Sequence, residues 1–213
     1  MESNKEMIEY LKKAGWIKSK EVEEAFKRVD RGLFAPPPRE REAYEDYPLP
    51  VMKGQTISAP SIVAFMTEEL DARKGMKILE VGTGSGYQAC ILSLLVGKKG
   101  RVITTDIHAE LIDYARERTE KLGLKNIQFV YGDGSKGYVE KAPFDRIIVT
   151  AAAPSVPEPL VRQLKEGGRM VIPVGTFFQE LQVVEKLQGK IKIASMLPVV
   201  FVPLLGEYGF KEG

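Results

Sequence analysis

The chain has 213 residues, enough for one full α/β domain with a modest appendage and too few for two independent cores of typical size. Its 44% hydrophobic and 28% charged residues suit a globular protein in water, and a net charge of +2 lacks the concentrated basic surface of a dedicated nucleic-acid binder. One cysteine, Cys90, and one histidine, His108, exclude an intrachain disulfide and any multi-cysteine or histidine-rich metal site, and leave little for Ser-His-Asp or Cys-His catalysis.

The start, Met1-Glu2-Ser3-Asn4-Lys5-Glu6, carries acids and lacks the basic-then-apolar order of a secretory signal, and no apolar run reaches the roughly 20 residues of a membrane span. A cytoplasmic monomer with no membrane, nucleic-acid or metal partner is the expectation. Ser3 and Glu6 have capping-box spacing, and Met7, Ile8, Leu11 and Ala14 follow at helical spacing, which predicts an amphipathic helix ending near Gly15. Ser19 is placed to cap a second helix whose stripe is Val22, Phe26 and Val29. Pro36-Pro37-Pro38 stops regular structure, and residues 31–57 read as an irregular segment wrapped over a core. Residues 1–57 are thus expected to form a helical and irregular extension packed on a core of residues 58–213.

Pro60 suits the first turn of a helix that continues through Ile62, Val63, Phe65, Met66 and Leu70. A strand at residues 77–82 follows, then helix 87–96, strand 101–106, helix 108–122, strands 127–131 and 144–150, helix 157–165 and strand 169–175. That alternation predicts a mostly parallel sheet covered by helices. Residues 180–187 and 190–202, joined at Gln188-Gly189, predict an antiparallel hairpin that completes it.

Glu80-Val81-Gly82-Thr83-Gly84-Ser85-Gly86 ends the first of these strands and opens a helix, where backbone N–H groups and the helix dipole can receive a ligand in a Rossmann-like fold. The alternative is a tight turn with no ligand. A dinucleotide motif would place its third glycine where this chain has Tyr87, which disfavours a nicotinamide cofactor. Glu80 at a strand end would attract the ammonium and sulfonium charges of S-adenosylmethionine and repel a pyrophosphate, or it is merely a solvated acid. Asp106 ends the second strand of this series, where an acid accepts from ribose hydroxyls or caps the next helix. Asp133, between Gly132 and Gly134, is placed to accept from an adenine amino group or to make an ordinary turn. By position alone Ser58 caps the helix that starts at Pro60, His108 is a surface residue at a helix start, and Cys90 is packing.

The runs Gly54-Gln55-Thr56-Ile57-Ser58-Ala59-Pro60, Leu79 to Ala89 and Gly132-Asp133-Gly134 closely resemble the protein-L-isoaspartate O-methyltransferases. Ala142 to Ala152 and Phe201-Val202-Pro203-Leu204 match that family in the same order, so the resemblance covers nearly all the chain beyond residue 30. It implies a Rossmann-like class I S-adenosylmethionine methyltransferase with a seven-stranded sheet, an antiparallel C-terminal hairpin and an N-terminal helical extension. It further implies that Ser58 is the active-site residue beside the methyl donor. Thr56, Ile57, Glu80, Gly82, Thr83, Gly84, Ser85, Gly86, Asp106, Asp133 and Gly134 would hold S-adenosylmethionine, with S-adenosylhomocysteine as product. Thr150, Ala151, Ala152 and Val202 would line a peptide groove. The family commonly ends the second strand of the series with Glu-Arg, where this chain has Asp106-Ile107.

The implied substrate is the free α-carboxylate of L-isoaspartyl, and by extension D-aspartyl, residues in damaged proteins. Such a carboxylate is ionised at neutral pH and attacks the sulfonium methyl without a general base, consistent with the scarcity of histidine. The methyl ester would then cyclise to a succinimide, whose hydrolysis returns some normal aspartate. The rivals are a tRNA adenine methyltransferase of the same fold, which would need a basic face or an added RNA-binding domain, and a nicotinamide dehydrogenase.

Overall fold

A computed structural model describes residues 1–211, so Glu212 and Gly213, the last two residues of the expected core, lie outside the described part. Helix α1 (Asn4–Lys13) is capped by the Ser3 hydroxyl, which accepts from Glu6 N, and the chain turns away at Gly15, whose φ is +78°. Helix α2 (Lys20–Arg28) begins the same way, with Ser19 accepting from Val22 N. Both helices bury their apolar stripes, Met7, Ile8 and Leu11 on one and Val22, Ala25 and Phe26 on the other. They share one hydrophobic cluster with Ile78, Cys90, Ile91, Val102 and Ile148 of the sheet region, so the extension is continuous with the core.

The irregular segment after α2 contains short 3-10 turns and a two-stranded ribbon, β1 (Leu49–Pro50) against β2 (Thr56–Ile57). It leads into α3 (Pro60–Leu70), with proline in its first turn as expected. Then come β3 (Lys77–Val81), α4 (Tyr87–Val96), β4 (Arg101–Asp106), α5 (Ala109–Lys121), β5 (Ile127–Tyr131), β6 (Phe144–Val149), α6 (Glu158–Gln163) and β7 (Leu164–Val174). Strands β8 (Gln179–Leu187) and β9 (Lys190–Val199) form the C-terminal hairpin across Gln188-Gly189.

The seven-stranded sheet has the order β5-β4-β3-β6-β7-β8-β9, parallel through β7 and antiparallel in its last two pairings. The chain leaves β3 for β4 on one side and returns to β6 on the other, so the carboxyl ends of β3 and β6 mark the switch point where such sheets hold ligands. Two boundaries differ from expectation. Helix α6 stops at Gln163 and β7 begins at Leu164 rather than near residue 169, because Gly167, at φ +74°, lets the strand bend past the register shift between Phe144 and Arg146. Strand β9 ends at Val199 because Val202 and Leu204 pair with Ala152 instead of continuing the hairpin. No helix among the described residues is long and apolar enough to cross a membrane.

Candidate active site

The glycine loop supplies the geometry that its sequence promised. Gly82, Gly84 and Gly86 all have positive φ, at +100°, +51° and +85°. A β-carbon on Gly82 would collide with the Thr150 hydroxyl, and one on Gly86 would come within 2.8 Å of the Ala115 β-carbon, so these two glycines are required by close packing. At Gly84 a β-carbon would meet nothing within 4 Å, which leaves the loop open on that side for a ligand. Thr83 is anchored below, its hydroxyl 2.7 Å from that of Thr104, and Ser85 accepts from Tyr87 N at 3.3 Å.

Two cavities flank this loop. One is lined by Gln55, Asp106, His108, Gly134, Ala151 and Leu205 among others. The other is lined by Thr56, Ile57, Ser58, Thr83, Gly84, Ser85 and Thr150 with Met66 and Gln88. Gly82 lines both. A larger groove lies between α2 and α3, remote from the loop, and brings together none of the expected residues.

Asp106 holds the first cavity in shape. It is 8% exposed, and its two carboxylate oxygens accept from Gly84 N at 2.9 Å and His108 N at 3.0 Å. Burial raises its pKa, and the backbone donors from Gly84 and His108 oppose that shift. The cap of α5 is His108, so Asp106 does not cap the helix; it braces the glycine loop against the chain entering α5. Ser58 likewise does not cap α3. The cap residue is Ala59, with no side-chain bond, and Asp46 Oδ1 takes the Ser61 N–H at 2.9 Å from fifteen residues upstream. Ser58 is left to line the cavity.

Glu80 is not a solvated acid. It is fully buried beneath the loop, neither oxygen has a hydrogen-bond partner, and desolvation pushes its pKa up to about 8. It lines neither cavity. Asp133 is engaged by the protein itself: Oδ1 accepts from Ser135 N at 2.9 Å and the Ser135 hydroxyl at 2.6 Å, and Oδ2 accepts from Glu207 N at 2.9 Å. It fastens the C-terminal turn over the edge of the first cavity, where Gly134 and Leu205 contribute lining. Of a carboxylate's roughly four acceptor directions, one remains.

The expected groove residues lie side by side. Thr150 donates its hydroxyl to the Gly82 carbonyl at 2.7 Å, which ties the end of β6 to the loop. Ala152 N donates to Val202 O at 2.8 Å, and Leu204 N to Ala152 O at 2.7 Å, so residues 150–152 and 202–204 run together. Gln55, Ile107, His108, Leu205, Met66 and Gln88 are lining residues that the sequence reading did not assign. Gln55 and Ile107 adjoin assigned residues in the chain, which was the available signal; His108, read from the sequence as a surface residue, reaches the site through the Asp106 carboxylate that accepts its N–H, and Leu205 through the Ala152 pairing. Among the described residues no cluster of three or more His, Cys, Asp or Glu is placed to hold a metal.

The site's small residues, its braced acid and two neighbouring cavities that share Gly82 in their walls fit a ligand with a nucleoside at one end and an amino acid at the other. Residues 2–209 match a family model described as protein-L-isoaspartate(D-aspartate) O-methyltransferase. A protein-L-isoaspartate O-methyltransferase of Hyperthermus butylicus is 48% identical over 99% of this chain and 92% of its own. Among solved structures, a protein-L-isoaspartate O-methyltransferase superposes with a TM-score of 0.88 at 32% identity, over 97% of this chain and 67% of that one. A putative protein-L-isoaspartate O-methyltransferase from Plasmodium falciparum, in complex with S-adenosyl-L-homocysteine, does so at 0.87 and 28%, over 96% and 99%. The chain belongs to the protein-L-isoaspartate (D-aspartate) O-methyltransferase family.

Proposed function

We infer that the two cavities that share Gly82 in their walls receive the two halves of S-adenosylmethionine, and that Ser58 orients the acceptor carboxylate beside them. The protein is an S-adenosylmethionine-dependent carboxyl methyltransferase acting on isoaspartyl residues. The tRNA and nicotinamide alternatives are not favoured by any of the closely similar relatives. The observation that carries the assignment of residues is Gly82, which lines both cavities and faces the Thr150 hydroxyl.

When bound, the cofactor supplies a methyl group on a positively charged sulfur that a carboxylate displaces directly. The protein's part is then alignment. Asp106, braced by two backbone N–H groups, would accept from the ribose hydroxyls; Gly134 would flank the base, with Asp133 contributing its remaining acceptor direction. Thr56, Ile57, Gly84 and Ser85 would enclose the amino-acid end. Ser58, free of any capping duty, donates to the substrate carboxylate and fixes its attacking oxygen. Thr150 holds Gly82 in place, and Ala151, Ala152 and Val202 form the wall against which the substrate backbone lies. No base is needed, since an α-carboxyl with a pKa of about 3.5 is ionised at neutral pH.

We further propose that the protein acts as a cytoplasmic monomer without nucleic-acid partners, and that residues 1–57 serve as an extension clamped on the methyltransferase core. The deciding experiment is transfer of labelled methyl from S-adenosylmethionine to paired peptides carrying isoaspartate or aspartate at one position. Base-labile label confined to the isoaspartyl peptide is expected; equal labelling of both would refute the acceptor assignment.

A further inference from the structure

Phe177 and Phe178 are 95% and 93% exposed, and Val200, which follows Val199 where that residue pairs with Gln179 at the end of the hairpin, is 95% exposed. Large apolar side chains grouped in this way on a protein surface mark a binding surface more often than they occur by chance. Their position gives the group its meaning. The turn between β7 and β8 follows the carboxyl end of β7, on the same edge of the sheet as the glycine loop, because β7 runs parallel to β6 and β3.

This turn is a built feature. Gly175 N donates to Ala153 O at 2.9 Å, Gly175 has φ +139°, and a β-carbon there would collide with the Phe178 carbonyl. The Gln179 side chain then grips Phe201 from both sides: its Oε1 accepts from Phe201 N at 2.6 Å and its Nε2 donates to Phe201 O at 3.2 Å. Phe201 adjoins Val202, whose carbonyl accepts from Ala152. The exposed trio is thereby tied by backbone and amide bonds to both walls of the groove assigned to the acceptor. No charged residue occurs from Ile172 to Gln179 or from Pro198 to Leu205. Such a surface offers nothing to an anionic lipid headgroup or a phosphate backbone, and it matches uncharged apolar side chains.

We propose that Phe177, Phe178 and Val200 form an apolar rim that binds the substrate polypeptide beyond the isoaspartate. The occupant is an apolar side chain in the extended segment flanking the damaged residue. A native fold hides such side chains, whereas a loosened segment presents them, so the rim directs the enzyme to damage in locally unfolded chain. This inference rests on the acceptor groove assigned above.

The test compares KM and kcat for two isoaspartyl peptides that differ only in flanking residues, all serine in one and with a phenylalanine walked outward from the damaged residue in the other. For wild type, KM for the phenylalanine peptide should fall about tenfold at the matching separation, the order expected from half-burying two aromatic contacts. The double variant Phe177→Ser/Phe178→Ser should lose that advantage while keeping wild-type kcat and KM on the serine peptide, and Phe177→Leu/Phe178→Leu should retain most of it. Equal KM for both peptides in wild type, or an advantage that survives the serine substitutions, would overturn the rim alone. Label on neither peptide would overturn the acceptor assignment and the rim with it. Sedimentation velocity covers the other occupant: a wild-type dimer that the serine variant dissolves, with KM unaltered, would make the trio a contact between two copies and refute the proposal.

Discussion

Glu80→Gln removes one titration and keeps the shape of the side chain. Glu80 is fully buried with both oxygens unpartnered, and burial shifts its carboxyl from 4.5 up to about 8, with the charge of Asp106 adding to the shift. A carboxyl whose value is raised on folding holds its proton more tightly in the folded chain. Below pH 4.5 both states are protonated and the group is indifferent to stability; from there to about pH 8 each step upward favours unfolding, and above pH 8 the penalty is constant. At about 1.4 kcal/mol per pH unit the window amounts to about 5 kcal/mol, a ceiling that water entry and local relaxation lower. The cofactor-free Glu80→Gln protein should therefore match wild type at pH 4.5 and exceed it by several kcal/mol at pH 9, roughly 10 °C in Tm for a chain of this size. Urea and thermal unfolding of the two proteins across that range measure the difference directly. Parallel pH profiles would refute the buried, neutral Glu80. The same pair tests attraction to the sulfonium: in wild type the preference for S-adenosylmethionine over S-adenosylhomocysteine should grow as pH rises toward 8, and in Glu80→Gln it should stay flat.

Ser58→Ala should lower kcat by roughly 10- to 100-fold, the worth of one hydrogen bond to a charged group, with S-adenosylhomocysteine affinity and Tm nearly unchanged because Ser58 caps nothing; unaltered turnover in the methyl-transfer assay would remove it from the site. Asp46→Ala takes the cap from α3 at Ser61 and should cost about 1 kcal/mol, a Tm drop of roughly 2–4 °C, whereas no change by calorimetry would show that the cap lies elsewhere. Asp133→Ala should speed amide exchange at Glu207 and Tyr208, which lose their anchor, and weaken S-adenosylhomocysteine binding by isothermal titration; exchange as slow as in wild type would refute the fastening of the C-terminal turn.

What the sequence made legible depends on how far each polar atom reaches for its partner. The Ser3 and Ser19 caps and the glycine loop are local affairs, settled within a few residues, and a reading of short windows found them. The sheet followed almost as directly, since strict alternation of strand and helix leaves few ways to cover a parallel sheet. The difficulties lie where the partner is distant. Ser58 had a helix start two residues ahead and every local reason to cap it; only the family resemblance pointed it to the site, and the physical reason, Asp46 arriving from the irregular segment to take the capping duty, became visible with the fold. Asp133 sits between glycines as an ordinary turn would, yet one of its oxygens is held by Glu207, 74 residues on. Glu80 is the extreme case. Alternation along β3 places it opposite Leu79 and Val81, but nothing in the chain around it states that its own face is covered as completely as theirs. Covering it takes the N-terminal helices and α4 together, the same packing that leaves Arg31 buried over the Tyr87 ring with two guanidinium nitrogens unpartnered. Arg31, buried with those nitrogens unpaired, stacks over Tyr87, the first residue of α4 directly after Gly86, so the extension meets the end of the glycine loop through a costly contact, and a substitution at Arg31 should be felt at the loop as well as in the extension.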